Sequence, residues 1–112
     1  MAGKFVVSKG KDGQNYFALK AGNGETILQS EGYKARNSCE IGIDSVRSNS
    51  ANVDRFHRRT SRDGKYYFVL KSSNGQEVGR SRMYKSESGC RNGMASVARN
   101  APGADVVDDK GR

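Results

Sequence analysis

From residue 4 to residue 30 apolar and polar positions alternate with a period of two, and two short polar breaks interrupt the alternation. The stretches "KFVVSK", "NYFALKA" and "TILQS" are separated by "KDGQ" and "GNGE". A period of two predicts half-buried strands. Asp-Gly and Asn-Gly tolerate the positive φ values of tight hairpin turns, so the three strands are predicted to form an antiparallel meander. The period then changes. Between 34 and 49 the small or apolar residues Ala35, Cys39, Gly42, Ile43 and Val46 fall at i, i+4, i+7, i+8 and i+11. That spacing is one face of a helix. A short strand, "ANVD", is predicted to follow and to run into "RFHRR".

The whole pattern recurs at an offset of 51 residues. "RFHRRT", "RDGK", "YYFVLKS", "SNGQ" and "EVGRS" form a second meander. Ser86, Cys90, Gly93, Met94 and Val97 form a second helical face, and "ADVVDD" a last strand. Pairing 4–54 with 55–105 without a gap gives 18 identities in 51 positions, among them Phe5/Phe56, Tyr16/Tyr67, Cys39/Cys90 and Gly42/Gly93. The chain is therefore an internal duplication. One unit of about 50 residues is too small to bury a stable core alone. The expected fold is α+β: two tandem β3-α-β repeats, 4–54 and 55–108, in one antiparallel sheet, with both helices on one face and a pseudo-twofold axis between copies. Residues 109–112 read as a polar tail on this single domain. Gly42 and Gly93 each cost about 1 kcal/mol in a helix interior, so their recurrence predicts a close approach there.

The pairs "DGQNYFALKAGNGETILQSEGY" with "CEIGIDSVRSN" and "DGKYYFVLKSSNGQEVGRSRMY" with "CRNGMASVARNAPGADV" resemble the YegP-like family of small bacterial proteins, in its tandem-repeat branch. The resemblance covers roughly residues 4–108. It implies that the two copies exchange their last strands. The family is one of unknown function, so the resemblance supplies no catalytic residue, cofactor or ligand. The departures, Gly-Met-Ala-Ser-Val at 93–97 and Asn-Ser at 49–50, leave the expected fold intact.

Composition narrows the function classes. Hydrophobic residues make up 34% of the 112, without Trp, which predicts a small core. The absence of an apolar run long enough to span a bilayer and of a signal-like start predicts a cytoplasmic protein with no membrane partner. Cys39 and Cys90 have no CxxC spacing and only one histidine accompanies them, so neither a metal nor another cofactor is expected; as residues on an apolar helical face they read as buried, reduced thiols. The formal net charge of +8 is uneven: residues 55–104 hold eleven Lys/Arg against three acids, and the rest is neutral. A basic half points to an anionic partner.

Strand alternation sorts the candidate side chains. Phe17, Leu19, Phe68 and Leu70 share one face, under the helices with Phe5, Val7 and Phe56. The other face receives Tyr16, Lys20, Tyr67 and Lys71, with Arg55, His57 and Arg59 from the strand beginning the second copy. Aromatic rings flanked by cations are what single-stranded nucleic acids use, because bases stack and phosphates pair with the cations. Lys34 and Lys85 stand at the helix starts, where free N–H groups and a lysine suit an anion. Arg58 falls on the core side, which predicts an edge or a bulge. Asp12 and Asp63 precede Gly in hairpin turns and read as turn residues. His57 has no orienting partner in the sequence and no nucleophile elbow or P-loop is present, so no enzyme is expected. The leading expectation is weak binding of RNA or single-stranded DNA on the helix-free face. The alternative is a protein-interaction or self-associating module using that face. A monomer with internal pseudo-twofold symmetry is expected.

Overall fold

The computed structural model describes residues 3–109. The first copy contains β1 (Lys4–Lys9), β2 (Asn15–Lys20), β3 (Thr26–Gln29) and α1 (Arg36–Asn49). The second contains β4 (Phe56–Thr60), β5 (Tyr66–Lys71), β6 (Glu77–Arg80), α2 (Glu87–Asn100) and β7 (Asp105–Asp108). The hairpin turns form where Asp-Gly and Asn-Gly predicted them, with Gly13 and Gly24 at φ 79° and 87°. Each helix starts two residues after its predicted lysine. Ser86 caps α2 by accepting from the Gly89 N–H at 3.0 Å, whereas Ala35, before α1, offers no side-chain cap.

The strands lie in the order β4-β5-β6-β3-β2-β1-β7. The copies meet at β3 and β6, where Gln29 faces Arg80. Following the register outward from that pair gives one row, Val6, Ala18, Gln29, Arg80, Val69 and His57, on one face. The adjacent row, Phe5, Leu19, Leu28, then Gly79, Leu70 and Phe56, therefore lies on the other. Both helices cover this second face: Gly42 of α1 lies against Phe17, and Gly93 of α2 against Phe68. Each helix also reaches the opposite copy, α1 onto β6 and α2 onto β3. One core results, built on Phe5, Phe17, Leu19, Leu28, Ile43, Val46, Phe68, Leu70 and Val97.

The recurrent helix glycines have a specific cause. Tyr33 stacks on Phe17 (6.2 Å, 14°) and its hydroxyl lies under α1, so a Cβ at Gly42 would come within 2.5 Å of Tyr33 Oη. Tyr84 repeats this with Phe68 and Gly93, at 2.3 Å. At the pseudo-twofold axis the copies have diverged to fit. Leu28 fills the space that its counterpart Gly79 leaves open, and a Cβ on Gly79 would meet Leu28 Cδ2 at 2.7 Å.

Two expectations need correction. The sheet is antiparallel from β4 through β1, but β7 pairs with β1 in parallel, so the sheet is mixed. The exchange of last strands is also one-sided. β7 of the second copy joins the first copy's edge, but "ANVD" forms no strand. Residues Val53–Arg55 make a 3-10 turn, closed by the Phe56 N–H on the Val53 carbonyl and by the Asn52 side chain accepting from the Asp54 N–H. The reason is covalent. The first copy's counterpart of β7 would be 54–57, but Asp54 and Arg55 lie in the 3-10 turn and Phe56 and His57 are the start of β4 itself, so these residues cannot lie beside it. At the other end pairing continues past Asp108, because the Asp109 N–H donates to the Val7 carbonyl at 2.8 Å. The rest of the predicted tail, 110–112, lies outside the described residues.

Cys39 and Cys90 are fully buried and free, and burial raises both thiols above their ordinary pKa. Since the thiolate is the reactive form, a thiol reagent at mildly alkaline pH is expected to label both slowly in native protein and at once in denaturant. Fast native labelling would mean that the helix face is wrongly placed.

Candidate docking surface

The helix-free face carries the predicted side chains in two groups. Arg59 faces Tyr67 across β4–β5 and His57 faces Val69, with Lys71 farther along β5. Tyr16 and Lys20 lie on β2, three strands from β5, or about 14 Å at ordinary strand spacing. Arg55 does not join either group. It sits in the 3-10 turn, and its guanidinium donates to the Asn49 side chain at the end of α1. Lys34 and Lys85 are exposed and immediately precede the caps of α1 and α2. Arg58 falls on the helix side of β4, the edge strand, as its register predicted.

Both tyrosines already have partners. The Arg80 guanidinium lies over the Tyr67 ring, 5.4 Å from its centroid, and Glu77 holds Arg80 at 3.2 Å. The Tyr16 hydroxyl donates to Asp12 at 2.7 Å, and its ring packs on Gly10. Asp12 in turn accepts from the Gln14 N–H, and the Tyr16 hydroxyl is the main cause holding its carboxyl below the usual range. Asp63 is lowered chiefly by the Ser61 hydroxyl. These are turn-stabilising roles. Val69 is fully buried on this face between its cross-strand neighbours His57 and Arg80.

The largest asymmetry lies at the sheet edges. At the β1 edge, β7 supplies a parallel strand, and Val106 sits near Ile43 and Arg47 of α1. Arg47 donates to the Ala104 carbonyl and lies over Phe5, while Arg36 pairs with Asp108 at 2.7 Å. At the opposite edge β4 has no outer neighbour among the described residues. The α1 residues that hold β7 have changed in α2: Ile43 corresponds to Met94, Asp44 to Ala95, Arg47 to Ala98 and Arg36 to Glu87. Losing the two charged side chains leaves an apolar groove of about 290 Å³ along α2, lined by Ala51, Val53, Phe56, Met94, Ala95 and Ala98. Val53, at its rim, is 76% exposed. Beside the groove Arg58 and Arg91 share Glu87 at 3.8 and 3.9 Å.

The Val7 carbonyl points outward to β7. The alternation of backbone groups along a strand, carried over by the duplication, turns the N–H and carbonyl of Arg58 outward from β4. Periodicity marks the core positions and passes over this groove. The signal that finds it is the set of helix positions where the two copies differ.

Comparison with known proteins agrees with this architecture. A family model described as a domain of unknown function (DUF1508) matches residues 11–56 and 61–108. The UPF0339 protein YegP of Escherichia coli K12 is 49% identical over 109 residues, covering 97% of this chain and 99% of that protein. A UPF0339 protein of Pseudomonas aeruginosa is 48% identical, with the same coverage. The solution NMR structure of yegP from E. coli, described as a protein of unknown function, superposes with a TM-score of 0.92 at 49% identity, covering 97% of this chain and 94% of that one. The solution NMR structure of a UPF0339 protein from Shewanella oneidensis gives 0.90 at 40% identity, covering 96% and 92%. None of these names carries an activity. Among the described residues no helix is long and apolar enough to cross a membrane, and no group of three or more His, Cys, Asp or Glu is placed to hold a metal ion.

Proposed function

The chain belongs to the DUF1508 family, and on that premise we propose that it is a non-enzymatic docking module that takes up an extended segment of a partner protein at the free edge of β4. The inequality of the two edges in a duplicated sheet carries this reading. An edge strand presents unpaired N–H and C=O groups, a template for an added strand. The chain fills that template at β1 with β7. At β4, beside an apolar groove, the Phe56 N–H is closed on the Val53 carbonyl, and from Arg58 onward no strand among the described residues lies outside it. His57 faces Val69, with no carboxylate across the strand to orient it as a base.

The basic charge of the second copy supports another reading, in which RNA or single-stranded DNA runs along His57, Arg59 and Lys71. That mode gains most from uncovered rings. Here Arg80 covers Tyr67, and the Tyr16 hydroxyl is committed to Asp12. Self-association of β4 with β4 would place arginines against arginines, which disfavours it.

Arg58→Pro separates the readings. Proline is tolerated on an edge strand where its missing N–H faces outward, so β4–β5 pairing should survive while the outer template loses a donor. Wild type and Arg58→Pro are compared in nuclease-treated pull-downs. The expected result is a protein partner retained after nuclease and lost in the variant. Capture that disappears with nuclease, together with oligonucleotide binding that weakens steeply from about 50 to about 150 mM salt, would replace strand docking by nucleic-acid binding. In that case Arg59→Ala should flatten the salt slope by about 0.7 on single strands.

A further inference from the structure

Resting on that reading, we infer that the docked segment lies parallel to β4 and has the pattern apolar, any residue, acidic, with its apolar side chain seated in the groove between Phe56 and α2. The chain carries its own template. β7 sets Asp105, Val106, Val107 and Asp108 opposite Lys4, Phe5, Val6 and Val7. Moving that arrangement by the duplication offset places an incoming segment opposite Phe56, His57 and Arg58, while the place of Asp105 falls at Arg55 in the 3-10 turn, outside β4. The residue in the place of Val106 then falls on the helix side beside Phe56, over Met94, Ala95 and Ala98. The vacant groove, about 290 Å³, has room for an aliphatic anchor such as valine or leucine.

Charge selects the flanks. The residue in the place of Asp108 comes beside Arg58, with Arg91 near it. Their contacts to Glu87 are long and exposed, a geometry of little energetic worth, so both cations are available to an incoming carboxylate. A further acid, in the place of Asp109, would come beside Arg59. From 55 to 62 the chain has four arginines and no acid. Edge charges also discourage unwanted pairing, but protection alone requires no apolar groove beside them. Arginines with such a groove admit an acidic strand and repel a basic one.

The test uses the intact protein and a labelled peptide, Gly-Ala-Asp-Leu-Val-Asp-Asp, which follows residues 103–109 with leucine in the place of Val106. Saturable binding below about 1 mM is expected, with amide shifts at Arg58 and along Met94–Ala98. A spin label on the peptide N-terminus should broaden residues near Phe56, and one on the C-terminus residues near Thr60. Replacing the aspartates by asparagine should weaken binding about tenfold or more, as loss of paired charges at a docking site does. Ala98→Glu puts a carboxylate where α1 carries Arg47, the residue that holds the Ala104 carbonyl, and should weaken binding of the acidic peptide about tenfold or more while the fold stays intact. Equal affinity for the asparagine peptide, no effect of Ala98→Glu, or the opposite spin-label polarity would overturn the inference. If the peptide fails to bind while nuclease-resistant capture still depends on Arg58, the acidic pattern falls and the docking reading stands. Shifts at β1 in place of β4 would mean that the peptide only displaces β7. Dimerisation that is lost on removing β7 would make a second copy the occupant and overturn the separate partner.

Discussion

A chain ending at Asn52 is expected to be unfolded as a monomer, losing the whole cooperative transition of the intact protein. The first copy has no complete core of its own. α1 packs partly on β6, β3 completes its pairing with β6, and Leu28 lies over Gly79. A unit of about 50 residues buries too small a fraction of its surface to offset the cost of ordering the chain. Pairing two such halves is a poor escape. A homodimer of first copies would bring one Leu28 against another where the native chain has Gly79, and would have no β7 for either edge. Circular dichroism with analytical ultracentrifugation checks this directly. A folded monomeric half would overturn the shared core, and a stable symmetric dimer would overturn the argument from Leu28 and Gly79.

Gly42→Val is expected to cost about 1–3 kcal/mol through overpacking, despite a helix propensity slightly better than glycine's. The added Cβ alone would stand 2.5 Å from Tyr33 Oη, 2.9 Å from Tyr33 Cζ and 3.1 Å from Phe17 Cε2. Tyr33 cannot swing away freely, since its ring is stacked on Phe17 and its backbone is bridged to Asn15. For a domain near this size a melting temperature lower by roughly 5–20 °C follows. Gly42→Ala should show the same effect more weakly. Adding Tyr33→Phe to Gly42→Ala should recover part of the loss, because it removes the atom nearest the new methyl. The double-mutant cycle should therefore report a favourable coupling. Strict additivity would mean that the glycine is there for some other reason. The same cycle at Gly93 and Tyr84 provides an internal repeat.

What could be read from the residues was local or repeated. Alternation in "NYFALKA" and "YYFVLKS" assigned Phe17, Leu19, Phe68 and Leu70 to the covered face, because side chains on a strand must alternate. Asp-Gly and Asn-Gly placed the turns because few residues tolerate their φ. The recurrence of Gly42 and Gly93 announced a close approach, though it did not say that a tyrosine hydroxyl was what approached. The candidate surface was legible only in part. Arg59 and Tyr67 were correctly placed together, but Arg55 left the face when the 3-10 turn brought it to Asn49. The partners of Tyr16 and Tyr67 came from a turn and a neighbouring strand that alternation does not describe.

The sequence alone thus determined a duplicated α+β unit, its covered face and its excess of positive charge, all carried by short-range periodicity or by composition. The tertiary structure alone decided that β7 runs parallel to β1, that the exchange of strands is one-sided and that β4 is left with an open edge beside an apolar groove. Those outcomes depend on which distant segments have the slack to meet. Residues 54–57 span the 3-10 turn and the start of β4 itself and so cannot lie beside that strand, whereas β7 follows α2 and reaches the far edge of the sheet.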